Sequence, residues 1–333
     1  MAPHTPPRSS RPGKAVARLG SRLTLTAFVA RRLVQSLGVL LGVSVIVFAL
    51  LHLTGDPTRL LLPLEAREED VRQLRALLGL DDPLWIQYVR FLSRAVRGDF
   101  GLSFKHQVPA LTLIAQTLPA TLQLTAAGLG LALVVAVPAG ILAALKRNSV
   151  LDAVCSVGVL LGQAMPVYWL GLLLIMVFAV GLGWFPAAGR DGLASLVLPA
   201  TALGAFSMAR IARMARSGML EVLAQDYVRT ARAAGIRAFL VTYKYALKNA
   251  AIPLVTIVGL EFGILLGGAV ITETIFAWPG VGRLAVDAIF SRDYPLVQAI
   301  VAVLATLFVV INLVVDLVYT YLDPRIVYVR SAP

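Results

Sequence analysis

Long stretches without a charged side chain constrain this chain more than any other feature. Residues 33–55, 106–145, 153–189, 192–209 and 294–315 contain no Asp, Glu, Lys or Arg, and 249–272 contains one, Glu261. About 20 apolar residues suffice for a helix to cross a bilayer. Only 14% of the chain is charged and 58% is hydrophobic, where a soluble domain carries roughly 25% charge. A water-soluble fold has nowhere to put that surface. The expected fold class is all-α: a polytopic membrane protein with six transmembrane helices, at about 33–54, 118–145, 153–182, 193–214, 250–273 and 295–321.

Charge decides how the spans thread. Runs 106–145 and 153–189 are long enough to raise the question of a double span each. With six spans and an inside N-terminus, the inner pieces hold 19 of the 30 Lys/Arg with four acids, and the outer pieces hold 11 of each sign. That asymmetry follows the positive-inside rule. Splitting one long run alone would turn the basic segment 210–248 outward. Both termini are therefore expected in the cytoplasm.

Residues 1–30, rich in Pro, Ser and Arg, read as a disordered basic cytoplasmic arm. It is either drawn to anionic lipid or a solvated retention signal. The first span is longer than a signal-peptide core, and no small-x-small site follows it. Segment 54–116 forms a large outside connection. Val71, Leu74 and Leu78 fall at helical spacing before Gly79. Asp82 and Pro83 offer an N-cap and first-turn proline for a second helix to about Val96, with Trp85, Tyr88, Val89 and Leu92 on one face. Such helices lie on the membrane surface or cover a vestibule.

The single cysteine, Cys155, excludes an internal disulfide and a cysteine metal cage, and His4, His52 and His106 are far apart in sequence. Neither a metal nor a cofactor is expected. Within the spans, Gly259, Gly263 and Gly267 recur every four residues, a pattern that lets helices approach closely, and Gly38 and Gly42 repeat it in the first span. This spacing fits packing within the chain or against a partner. Glu261 lies about 15 Å into its span at 1.5 Å per residue, where a charge costs at least about 2.5 kcal/mol. It reads as an acid lining a translocation pathway or as a hydrogen-bonded helix contact. Glu273 falls nearer the outer surface, and Asp316 nearer the inner end of the last span. Pro138 and Pro166 interrupt their spans.

Segment 221–250 carries the most information. Val222, Leu223, Tyr227, Val228 and Ala231 follow one helical face up to Gly235, and Phe239, Leu240, Tyr243 and Leu247 form a second. With Arg229, Arg232, Arg237, Lys244 and Lys248 the segment is too short and too charged to cross the membrane. It is a lipid-surface helix pair or a docking knob for a cytoplasmic partner.

This segment resembles the coupling loop of ATP-binding-cassette importer permeases in the form used by the dipeptide/oligopeptide/nickel family. That family's DYVRTARAKG run is matched by 226–235, with Ala234 in place of the lysine, and its ALRNA.IP run by 246–253. Four more stretches resemble family signatures: GDFGLSF at 98–104, ETIFAWPGVG at 273–282, RDYPLVQ at 292–298 and LDPRI at 322–326. The general importer loop begins Glu-Ala-Ala, where this chain has Arg229-Thr230-Ala231, as is usual in the peptide branch. The resemblance covers about residues 30–328.

The resemblance implies a type I ABC importer permease fold over 31–328, in a prokaryotic plasma or inner membrane. It implies a second, related permease subunit, two cytoplasmic ATP-binding subunits and an extracytoplasmic substrate-binding protein, and no nucleic acid. Residues 226–235 would enter a groove on one ATPase. Tyr227, Ala231 and Gly235 would provide the contact, and Asp226, Arg229 and Arg232 the charged rim. No G-x-x-x-x-G-K-[ST] loop is present, so ATP hydrolysis belongs to the partners. Dipeptides or oligopeptides are the expected cargo, with nickel, glutathione or another small solute as the alternative. An ion-coupled secondary transporter using Glu261 is a remote alternative. A membrane-embedded enzyme would need an in-span nucleophile and base or a metal cluster, and the spans carry neither.

Overall fold

A computed structural model describes residues 14–53, 58, 62 and 66–322. Expectations that fall on 1–13, on the rest of 54–65 and on 323–328, including most of LDPRI, lie outside the described residues. Helix α1 (Lys14–Leu53) begins well inside the stretch expected to be a disordered arm. Residues 14–30 continue the helix because no proline interrupts them and Ala, Leu and Arg are good helix formers next to an apolar span. Two short helices follow, α2 (Glu68–Leu78) and α3 (Leu84–Val96). Gly79 ends α2 in the left-handed region at φ 66, where a glycine carries no Cβ penalty. Asp82 does not cap α3 as the spacing predicts. Pro83 takes the cap position, and the Asp82 carboxylate accepts from Arg90 Nη2 at 2.7 Å.

The body consists of α4 (Ala110–Leu145), α5 (Val150–Ala164), α6 (Val167–Leu174) with a π-helical continuation Ile175–Gly181, and α7 (Ala194–Leu223). After α8 (Asp226–Ala233) and α9 (Ala238–Leu240), a π-helical stretch Val241–Ala246 leads into α10 (Leu247–Ile275). Helices α11 (Val281–Phe290) and α12 (Tyr294–Leu322) complete the described chain. Among the described residues, five helices are long and apolar enough to cross a membrane: Ala30–Leu50 of α1, α4, α7, Pro253–Ile275 of α10 and Tyr294–Val318 of α12. The sixth expected span is α5 and α6 together, bent by 103°. Pro166 sets the break. It has no N–H to donate and disfavours the helical region for Met165. Pro138 was expected to interrupt its span as well, yet α4 runs through it. Packing along α7 two residues later holds the helix on course.

The core is the α4–α7 crossing, where small residues bring two backbones together. A Cβ on Gly204 would strike the Gly128 carbonyl, and one on Gly140 would stand 2.5 Å from the Ala212 carbonyl. These pairings rise together along both helices, so α4 and α7 run parallel. Helix α10 runs opposite to α7, with Gly218 against Ala250 and Gly268 against Leu203. Helix α12 runs opposite to α10, and Arg32 of α1 reaches Asp316 of α12 at 2.8 Å. The bundle therefore has two ends. At the two-helix end, α2 and α3 lie beside the C-terminus of α1, with His52 2.8 Å from the Phe48 carbonyl and 3.0 Å from Gln87 Oε1. At the basic-loop end lie α8 and α9.

Candidate functional site

The two ends and the middle of the bundle hold the expected site residues in different ways. Between the ends, α7 carries Arg210 and, further toward the basic-loop end, Arg213 and Arg216. A step of three residues turns a helix by about 300°, so successive arginines move about 60° around its axis. Each therefore finds a different partner. Arg210 Nη2 donates to Glu261 Oε2 at 2.9 Å, Arg213 Nη2 to Gln163 Oε1 at 2.8 Å, and Arg216 grips both Asp152 oxygens at 2.8 and 2.9 Å.

Glu261 is buried, and Ser207 Oγ donates to its Oε2 at 2.6 Å. Arg210 Nε also lies 2.8 Å from Oε1, although its N–H is not aimed there, so that contact is Coulombic. The guanidinium rests on the Phe206 ring, 4.5 Å from its centroid, with its side chain 28% exposed. A buried carboxylate is tolerable here because its charge is matched and its Oε2 accepts two hydrogen bonds. The charge count had set Arg210, Arg213 and Arg216 among the cytoplasmic cations, although the expected span at about 193–214 already takes in the first two. The structure places them on α7, where the RIARMAR spacing of three was the signal that could have revealed them.

Of the three spaced glycines, Gly259 and Gly263 face α12. A Cβ on Gly259 would collide with Val315, and one on Gly263 would meet Phe308 at 2.9 Å. Gly267 has nothing within 4 Å, nor have Gly38 and Gly42. The stripe therefore packs within the chain over its first two positions only.

At the basic-loop end, Val228, Ala231 and Val241 form a small core with Val222, Leu223 and Ile236. Ala231 was expected on the contact face. It is turned inward at 8% exposure, because the apolar side of so short a helix must close the knob's own core. Gly235 adopts φ 74, which ends α8 and reverses the chain. Asp226, Tyr227, Arg229 and Arg232 point outward, and Asn249 Nδ2 fixes the Tyr227 hydroxyl at 2.7 Å. The second apolar face is not covered either. Phe239 and Tyr243 are 68% and 45% exposed, with ring centroids 4.5 Å apart. Sequence reading had them as a helix face and missed that they form an unpartnered aromatic pair.

At the two-helix end, the other signature stretches lock onto the body. Ser103 Oγ donates to Asp293 Oδ2 at 2.5 Å, and Lys105 N and Leu296 N donate to the same carboxylate at 3.2 and 3.3 Å. The 98–104 and 292–298 stretches are thus one buried unit. Glu273 is fully buried and accepts from Thr121 Oγ1 at 2.6 Å and Arg283 N at 3.0 Å. Trp278 Nε1 donates to the Ala120 carbonyl at 2.9 Å. A cavity of about 970 Å³ opens beside these units, walled in part by Phe48, His52, Arg90, Arg94, Lys105 and Tyr294. Among the described residues, no group of three or more His, Cys, Asp or Glu side chains converges on a point where a metal would sit.

Comparison with known proteins gives a consistent result. The family model described as binding-protein-dependent transport system inner membrane component matches residues 136–328, and the model for the N-terminal part of such membrane components matches 25–125. The dipeptide transport system permease protein DppB of Alkalihalophilus pseudofirmus is 42% identical over 333 residues, covering 91% of this chain and 100% of that one. The glutathione transport system permease protein GsiC of Escherichia coli K12 is 43% identical over 302 residues, covering 90% and 99%. Among solved structures, a chain of the MetNI methionine ABC transporter in an inward-facing conformation aligns with a TM-score of 0.53 at 21% identity, covering 64% of this chain and 97% of that chain. That likeness is one of fold.

Proposed function

Because the chain belongs to the family of binding-protein-dependent transport system inner membrane components, we propose that its cargo is a dipeptide or short oligopeptide and that the 226–248 knob couples it to ATPase subunits. It is a multi-pass inner-membrane permease subunit of an ABC importer, and a non-catalytic one. The observation that carries the coupling role is the knob's construction. Its inner residues hold it to α7 and the start of α10, while Arg229, Arg232, Phe239 and Tyr243 are left outward. Exposed aromatics and arginines on one projection are the composition of protein interface hot spots. ATPase closure would push on this rigid projection and bias a bundle with two arrangements.

The partners we assign are a second, related permease, two cytoplasmic ATPases and an extracytoplasmic binding protein. The basic-loop end faces the cytoplasm, as do both termini, and the two-helix end faces the binding protein. The coupling set is Asp226, Tyr227, Arg229, Arg232 and Gly235, with Phe239 and Tyr243 added and Ala231 acting from within. Glu261 serves the pathway as a positioning residue. Sealed from water, it orients Arg210, whose open face can meet a peptide carboxylate.

Peptide cargo is supported by the relative named for dipeptide transport, while the relative named for glutathione transport stands for the alternative. Purification in mild detergent with mass spectrometry tests the assembly, and the binding protein recovered is then screened with dipeptides, glutathione and nickel. Recovery of two ATPases and a second permease, with dipeptide binding, is expected. A chain that purifies alone and transports after ATP depletion would overturn the reading. Binding of nickel or glutathione alone would overturn the cargo.

A further inference from the structure

Between α4, α5 and α7 lies a cavity of about 170 Å³ whose walls include Gly140, Ala143, Cys155, Ser156, Arg213 and Arg216. It lies where Gly140 and Ala212 bring α4 and α7 into backbone contact and α5 is tied to α7 through Gln163 and Asp152. The charges around it do not cancel. Arg216 is neutralised by its two bonds to Asp152. Arg213 is exposed, and among the described residues it donates only to the uncharged amide of Gln163. Lys146 and Arg147, in the turn one helical turn beyond Ala143, are exposed as well. The site is therefore cationic, with no matching anion among the described residues.

Depth and surroundings narrow the ligand. Arg213 lies nineteen residues after Ala194, about 28 Å along the helix axis at 1.5 Å per residue. With the α7 N-terminus at one edge of a hydrocarbon core of about 30 Å, that places it among the headgroups of the opposite leaflet. Beside Cys155 on α5, Leu151 and Val154 are 45% and 65% exposed, an apolar flank alongside a cation. An uncompensated guanidinium at this level recruits an anion, and an amphiphile satisfies both surfaces at once.

We propose that this groove binds an anionic phospholipid, with Arg213 on the headgroup phosphate, Lys146 and Arg147 at its rim, and an acyl chain along Leu151 and Val154. The lipid belongs to the leaflet at the basic-loop end, which is the cytoplasmic one on the orientation proposed above. Its phosphate supplies the negative charge that Gln163 lacks. Basic recesses between membrane helices on this side are of the kind that hold such headgroups.

Cys155, the chain's single cysteine, reports on the groove without any substitution. The assembled transporter is placed in vesicles of phosphatidylcholine alone or mixed with phosphatidylglycerol, and the reaction of Cys155 with uncharged N-ethylmaleimide is timed. Phosphatidylglycerol is expected to slow it about fivefold, the scale of one basic residue's attraction to an anionic surface. Arg213→Gln should abolish the protection and Arg213→Lys should keep part of it. Equal rates in the two vesicles overturn the proposal, whatever the variants do. Equal slowing by inorganic phosphate in phosphatidylcholine vesicles overturns the lipid in favour of a free anion. A Cys155 already blocked in phosphatidylcholine means that a protein subunit covers the groove, and overturns it too.

Discussion

At the two-helix end, the signature residues Ser103, Glu273, Trp278 and Asp293 are buried and bonded to one another or to the ends of α4. At the basic-loop end, Arg229, Arg232, Phe239 and Tyr243 are exposed. Both ends carry stretches that resemble the same family, and motif matching gives them equal weight. Burial separates them. A residue whose polar atoms are all satisfied inside the chain contributes to the fold. A residue held outward by a rigid support is available to a partner. The middle of the bundle combines the two, with Glu261 sealed and Arg210 partly open.

Substitutions at the two ends should therefore fail differently. The largest effect on stability is expected from Glu273→Ala, which strips the acceptor from Thr121 Oγ1 and the Arg283 N–H. Orphaned buried donors cost about 1–3 kcal/mol each, so thermal unfolding in detergent should move clearly downward and protein level should fall with it. An unchanged Tm would remove the distinction between the ends. Glu261→Gln comes next. Losing the charge opposite Arg210 costs less than in a fully buried pair, because Arg210 reaches solvent or partner. Uptake should drop while most of the protein still folds, and adding Arg210→Gln should recover stability but not uptake. Normal uptake by the single variant would discard the pathway role.

Gly235→Asp sharpens the comparison from the other end. Nothing lies within 4 Å of the added Cβ, so the cost is conformational and small for Asp, which tolerates a positive φ. We expect uptake to fall about tenfold, the effect of about 1.4 kcal/mol lost at an interface, with Tm near that of the parent. A matching loss of Tm would make Gly235 structural instead. The smallest effect belongs to Arg229→Ala. Among the described residues its ion pair is a 3.4 Å contact to Asp226, and both side chains are exposed. Stability should change by less than about 1 kcal/mol, and any fall in ATPase binding should shrink at high salt. A salt-independent loss would mean that Arg229 packs rather than pairs.

The sequence exposed some layers of this molecule and hid others, for physical reasons. The all-helical fold with five or six long apolar helices was legible because uncharged runs leave little choice. Helix α2 and its stop at Gly79 were legible from spacing and from the one residue type that takes a positive φ freely. The arginines of α7 were hidden by a charge count that assigns every cation to a loop, although a guanidinium can stay in a helix when it meets Asp152, Gln163 or Glu261. The bend at Pro166 and the continuity at Pro138 could not be told apart in the sequence, since both prolines sit in uncharged runs and only the fold shows the close backbone approach of α4 to α7 at Gly128 and Gly140. Ala231 and Phe239 were both apolar positions on a short helical face. Which of them turns inward depends on Val241, fifteen or fewer residues away in sequence but placed only by the turn at Gly235.

The central claim is that the knob's exposed aromatic pair transmits force without supporting the fold. Phe239→Ala combined with Tyr243→Ala in the assembled transporter tests it most directly, with ATP hydrolysis, uptake and Tm measured on the same reconstituted vesicles. The account predicts loss of uptake and of its link to hydrolysis at an unchanged Tm. Uptake that stays at the parent level, or that falls only in step with Tm, would contradict it.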